Sequence, residues 1–271
     1  MTRPNAACAF ALGLGLLCSS RSAAFAQEKT IALDPLGDGL ALSLGIGAAL
    51  ASELLIDGRA EPLERPDMSS IPALDALACF PYDDGLDAAS KAAEAATILW
   101  PALFAFVGER DELLPAAAVC AESLAWTYAV KECLKGIFPR VRPYAYHDGA
   151  LSDELLEEAR ESFPSGHAAL AFSAAASFAT LALSTAPDDP ATPWLVAGGF
   201  AMATGASALR VASGNHFITD VAAGAALGSA IGWATAALHL RAKESQRGAA
   251  EGTVVAMIAS GPSALLRIRL R

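Results

Sequence analysis

The sequence predicts an all-α helical bundle of about six core helices, embedded in a membrane. Three observations carry that prediction. The 271 residues are 54% hydrophobic and only 18% charged, whereas soluble domains run near about 25% charged. Apolar stretches rich in Ala, Gly, Ser and Leu recur, with no β alternation of any length. Three of these stretches, residues 167–187, 190–209 and 221–238, contain no Asp, Glu, Lys or Arg. Each is close to the roughly 20 residues that cross a bilayer core, and small residues let membrane helices approach closely. The competing architecture is a soluble all-α domain with Ala-rich buried helices.

Taken in order, residues 1–26 read as a secretory signal. Arg3 precedes an apolar run, and Ala24-Phe25-Ala26 offers a small-x-small cleavage site before Gln27; an uncleaved membrane anchor is the alternative. Residues 27–241 then form the helical domain, and residues 242–271 a C-terminal tail ending in Arg267, Arg269 and Arg271. Within the domain, residues 39–52 are apolar but short and Gly-containing. Residues 57–87 are acidic and read as loop with short helix. Residues 88–107 predict a helix kinked at Pro101. Residues 115–134 predict another, interrupted by Glu122, and the polar segment 139–163 follows. Residues 167–187 and 190–209 form a helical hairpin, and 221–238 the last helix.

Composition excludes several classes of function. Nineteen basic residues against 29 acidic ones leave a net charge of -10, so no basic surface is available for nucleic acid. Five Cys cannot frame a disulfide scaffold. Cys8 and Cys18 fall in the signal, and Cys79, Cys120 and Cys133 lack metal-ligand spacing, so most of these are expected to be small buried hydrophobes.

Three segments concentrate the rare residue types. In Lys135-Gly-Ile-Phe-Pro-Arg-Val-Arg142-Pro143, Pro139 ends the helix. That leaves two cations at its end and in the following loop, where Arg can grip phosphate oxygens in a bidentate manner. Alone, this is also an ordinary basic helix end. Pro164-Ser165-Gly166-His167 opens an apolar helix, and helix N-termini bind anions. There Gly166 permits close approach, Ser165 adds a hydroxyl, and His167 can supply a proton. Alone, this is also a plain helix cap. Arg210-Val-Ala-Ser-Gly-Asn-His216-Phe-Ile-Thr-Asp220 puts His216 and Asp220 four apart, as in a tautomer-fixing pair. Alone, it is also a capping network. The hairpin returns Arg210 to the end where His167 begins, so the three segments converge. Three cations already supply the positive charge, so neither a metal nor another cofactor is expected. His147 and His239 fall outside the convergence.

At these residues the chain resembles the type 2 phosphatidic acid phosphatase superfamily, which includes bacterial class A acid phosphatases and vanadium haloperoxidases. Its pattern, Lys-x6-Arg-Pro, Pro-Ser-Gly-His and Arg-x5-His-x3-Asp, is matched in order. Leu209 stands where the family usually has Ser. The resemblance implies that Lys135, Arg142 and Arg210 bind phosphate, with Ser165 and Gly166 donating to it. It implies that His216 attacks phosphorus, Asp220 orients His216, and His167 protonates the leaving oxygen and then activates water. The substrate implied is a lipid phosphate or pyrophosphate at the inner membrane of a bacterial cell envelope, with the site facing the periplasm. Alternatives are a soluble periplasmic acid phosphatase acting on small phosphomonoesters and a vanadate-dependent haloperoxidase; the compact size disfavours the last. A cleaved signal puts Gln27 outside, so three spans before Lys135 would turn the site inward. Residues 39–52 are therefore expected not to cross. The acidic segment 144–162 is expected to cover the site, as a solvated helix or as a gate for anionic head groups.

Overall fold

The structure, a computed structural model, describes residues 29–56, 65–107, 110–149 and 151–242. The expected signal at 1–26, with Cys8 and Cys18, and the tail from 243 onward lie outside the described residues. The helices are α1 (Pro35–Ile56), α2 (Ala73–Ala76), α3 (Asp84–Ile98), α4 (Leu113–Ile137), α5 (Asp153–Glu157), α6 (Gly166–Thr185), α7 (Thr192–Ala212) and α8 (Ile218–Leu238). Six are long and α2 and α5 are single turns, so the bundle of about six core helices stands. Two three-residue strands that the sequence did not reveal, β1 (Lys29–Ile31) and β2 (Leu240–Ala242), pair antiparallel. They are too short for alternation to register.

Among the described residues, five apolar stretches are long enough to cross a membrane: 35–52 in α1, 110–137 ending in α4, and α6, α7 and α8 whole. Residues 39–52, read from sequence as short, belong to a longer helix whose length and composition are sufficient to cross. Helix α1 has 22 residues, because Asp38 is accommodated in its first turn, where the helix dipole favours an acid. Its Leu36, Leu40, Leu44 and Leu50 are exposed. The expected kinked helix at 88–107 is instead α3 followed by a 3-10 segment, Trp100–Phe106. Pro101 lacks an N–H and crowds the carbonyl four residues back, so the α geometry stops before it. Helix α3 also begins earlier than the apolar pattern, because the Asp83 carboxylate caps it by accepting from Leu86 N at 2.8 Å.

Helix α6 is the centre of the bundle, with α8, α7, α4 and α3 packed around it. Its closest neighbour is α8, and the reason lies in sequence. Gly224, Gly228 and Gly232 repeat every fourth residue and face the α6 backbone at Ser165, Ala169 and Ser173. A Cβ at Gly228 would overlap the Ala169 carbonyl oxygen.

The helices place two different ends. Helices α1, α4 and α7 run toward one end, and α3, α6 and α8 start there. At the opposite end, β1 pairs with β2, Phe104 meets Phe178 edge-on, and Ile31, Val119, Leu181 and Ala236 share a core. His239 at the C-terminus of α8 sits there too, with Nε2 3.2 Å from Asp38 and 3.4 Å from Glu122. Three long segments, α1, α3 with its 3-10 extension, and α4, therefore traverse the bundle before Lys135. Among the described residues no disulfide forms. Cys120 is buried as expected, Cys79 is half-buried, and Cys133, against expectation, is exposed, because it falls on an outward face of α4.

Candidate active site

A cavity of about 440 Å³ opens at the end where α6 begins. The sequence segments reach it by different routes. Helix α4 ends at Ile137, two residues before Pro139, and delivers Lys135. The strand-like stretch after it hydrogen-bonds to the segment before α6, through Arg140 N to Arg160 O at 2.9 Å and Arg142 N to Ala159 O at 2.8 Å. That pairing fixes Arg142. Ser165 caps α6, its Oγ accepting from Ala168 N at 3.5 Å, so Gly166 and His167 open the helix at the cavity wall. Gly214 has φ +73°, and a Cβ there would meet the Phe80 and Pro81 carbonyls. This turn, which L side chains avoid, swings the chain from Arg210 on α7 to His216 before α8.

Lys135, Arg142, Gly166, His167, Arg210 and His216 all line the cavity. Ser165 lies buried at the α6 cap and Asp220 lies buried behind His216. The Nε atoms of Arg142 and Arg210 are buried and, among the described residues, have no hydrogen-bond partner. Buried polar atoms are nearly always satisfied, so these two guanidinium N–H groups, on residues that line one cavity, stand out. Carboxylates hold the rest of these cations. Arg142 meets Glu158 at 2.9 Å, Lys135 meets Glu132 and Glu161 at 3.3 Å each, and Arg210 pairs with Asp87. The covering segment is thus not a simply solvated acidic helix: Glu158 and Glu161 reach inward to the cations, while α5 stands on the rim.

His216 is nearly inaccessible, at 2% exposure. Its Nδ1 donates to the Ser162 carbonyl at 2.8 Å. Burial, reinforced by Arg142 and Arg210, holds its pKa well below the ordinary imidazole value. The ring is therefore neutral, and with Nδ1 protonated its Nε2 presents a lone pair. The Asp220 carboxylate acts at one remove. It accepts from Ser162 Oγ at 2.6 Å and from Phe217 N at 2.9 Å, and it pairs with Arg140 at 2.5 Å. Arg140 is in turn held by Asp75 at 2.7 Å. The link from Asp220 to His216 thus runs through Ser162, a residue the sequence reading did not single out.

Helix α3 adds a wall that the sequence motifs do not contain. Asp87, Lys91 and Glu94 lie on one face and line the cavity. Asp87 accepts from Asn215 Nδ2 at 2.9 Å and pairs with Lys91 at 2.9 Å, while Ser90 accepts from Arg210 at 3.2 Å. Glu94 lies 3.1 Å from His167 Nε2. Lys131, one turn before Lys135, also lines the cavity. It pairs with Glu132 and sits 3.6 Å over the Tyr128 ring. The signals were present as the i, i+4 and i, i+7 spacings of Asp87, Lys91 and Glu94 and the i, i+4 pair Lys131 and Lys135. Among the described residues, the group of His/Asp/Glu side chains close enough to share a cation, Asp38, Glu122 and His239, lies at the far end of the bundle and plays no part in this cavity.

Residues 116–244 match the family model described as the PAP2 superfamily. Among solved structures, the chain is similar to the crystal structure of the first transmembrane PAP2 type phosphatidylglycerolphosphate phosphatase from Bacillus subtilis. The TM-score is 0.42 and the identity 18%, over 75% of this chain and 94% of that chain. No curated protein matches the chain.

Proposed function

We propose, from the match of residues 116–244 to the PAP2 superfamily model, that the chain is a membrane phosphatase. On this reading it hydrolyses a phosphomonoester or pyrophosphate of a lipid, without a metal, through a phospho-histidine. The observation that carries the proposal is the convergence on one cavity of Lys135, Arg142 and Arg210, two of them with an unpartnered buried Nε, beside a neutral His216. A phosphate dianion entering there displaces Glu158 and Glu161 and takes over their cations. Ser165 and the Gly166 amide donate to its oxygens at the α6 N-terminus. His216 Nε2 attacks phosphorus, the bond to the leaving oxygen breaks, and His167 supplies that oxygen with a proton. Water then attacks the phospho-histidine, losing its proton to His167, and free phosphate leaves. Asp220 keeps Ser162, and through it His216, in place. The three cations stabilise charge on the transferring group, the role a metal fills elsewhere.

Five apolar stretches of membrane-spanning length, and the exposed leucines of α1, favour a lipid ester over a small soluble one. The test is phosphate release by the purified protein in detergent from phosphatidate, a polyprenyl pyrophosphate and p-nitrophenyl phosphate, with EDTA present. Lipid turnover that survives EDTA and disappears in His216→Ala is the expected result. Turnover of the nitrophenyl ester alone would move the assignment to a non-specific acid phosphatase, and silence on all three would end it.

A further inference from the structure

The site contains a carboxyl group that the family pattern does not supply. Glu94 lies on α3, ahead of the matched segment, with its side chain only 14% exposed and its Oε2 3.1 Å from His167 Nε2. The charged groups facing this pair are mostly cations: Lys91 with Asp87 from α3, Lys131 from α4, Arg142 after α4, and Arg210 from α7. The 3-10 segment after α3 brings none. An imidazolium at His167 would be repelled by these cations, whereas an anion beside them is welcome.

We propose that Glu94 is a positioning and proton-holding residue that turns His167 into a relay, an inference that rests on the phosphatase reading above. Protonated Glu94 donates its O–H to Nε2, which leaves the ring's own proton on Nδ1. As the His216–phosphorus bond forms and the phosphorus–oxygen bond breaks, the Nδ1 proton passes to the leaving oxygen. The Glu94 proton passes to Nε2 in the same step. The ring is neutral before and after, and the new charge is a carboxylate among cations. In hydrolysis the flow reverses: a water proton goes to Nδ1, the Nε2 proton returns to Glu94, and phosphate departs. Burial pushes the Glu94 pKa up to about 7, against the pull of Arg210, Lys131 and Lys91. That value lets the group both hold and release a proton near neutral pH.

The test compares wild type, Glu94→Gln and Glu94→Asp by kcat/KM on phosphatidate in mixed micelles and on p-nitrophenyl phosphate, across neutral pH. Gln can still donate an N–H to Nε2 and hold the ring, but it cannot give up a proton. An alkoxide leaving group needs that proton, whereas nitrophenolate leaves without it. The relay predicts a fall of about 10²- to 10³-fold on phosphatidate for the Gln variant, within the range of acid catalysis. The fall on the nitrophenyl ester should be at most about tenfold, and that retained turnover also demonstrates a folded enzyme. The reactive form carries the Glu94 proton, so wild-type activity on the lipid is full below about pH 7 and falls as pH rises through it. Glu94→Asp keeps that limb at reduced rate and Glu94→Gln loses it. Equal falls on both esters, or an unchanged rate on phosphatidate, would overturn the relay while leaving the phosphatase reading intact. A wild type silent on both esters would strike the phosphatase reading itself.

Discussion

At the scale of single residues, the site depends on geometry that a charge alone does not replace. Arg142 is held by Asn215 Oδ1 at 3.0 Å, and its buried Nε has no hydrogen-bond partner among the described residues. Arg142→Lys retains the charge but loses the fork. Its kcat/KM on the best lipid should drop by about 2 to 4 kcal/mol of transition-state stabilisation, comparable to losing one oxyanion donor, as steady-state kinetics would show. Ser162→Ala is subtler. It keeps the carbonyl that accepts from His216 but cuts the hydroxyl link to Asp220. The expected loss is about 1 kcal/mol, roughly a fivefold fall in kcat with KM unchanged, since Ser162 does not line the cavity. A KM change alone would show that Ser162 touches substrate instead. The residues named from sequence sit in short motifs whose internal spacing is fixed by a helix turn, so their convergence could be read. Ser162, Arg140 and Asp75 could not, because their partnership is made by strand-like pairing between distant segments.

At the scale of elements, the contact of α6 with α8 decides how tightly the cavity is framed. The last helix reads in sequence as apolar and charge-free, and the spacing of Gly224, Gly228 and Gly232 is visible there. What sequence alone does not reveal is which helix the glycines meet. The structure answers with α6, whose N-terminus carries Gly166 and His167, so this packing also sets the position of the site. A methyl added at Gly228 runs into the Ala169 backbone, whereas one added at Gly205 on α7 meets nothing within 4 Å. Gly228→Ala should therefore destabilise by about 1 to 3 kcal/mol through overpacking. Gly205→Ala should be neutral or stabilising by about 0.5 to 1 kcal/mol through helix propensity. Unfolding of both variants in the same detergent measures the difference, and similar shifts would contradict the close approach. The misread elements share a different cause. Residues 39–52 and 88–107 were bounded by where apolar residues stop, but the helices end where caps and Pro101 dictate.

At the scale of the molecule, the direction of the helices constrains how the chain sits in a membrane. β1 and β2 pair at the end opposite the cavity, and Asp38, Glu122 and His239 tie α1, α4 and α8 together there. Lys29 and Arg241 lie in that strand pair. By the positive-inside rule we expect that end on the cytoplasmic side and the cavity on the outer side. Signal cleavage outside the membrane after Ala26 would instead leave Gln27 on the outer side, a few residues from β1. With α1 spanning, a cleaved signal and an outward cavity exclude each other. We expect the outward cavity, and hence no cleavage after Ala26. Gly149, exposed at the cavity end, and the position after Ala242 should then lie on opposite sides. In intact cells a Gly149→Cys variant, with the three native Cys of the domain replaced by Ser, should react with an impermeant thiol reagent. A phosphatase reporter fused after Ala242 should stay inactive, and the purified protein should retain its residues before Gln27. An N-terminus at Gln27 together with an active reporter would reverse the assignment and turn the cavity toward the cytoplasm.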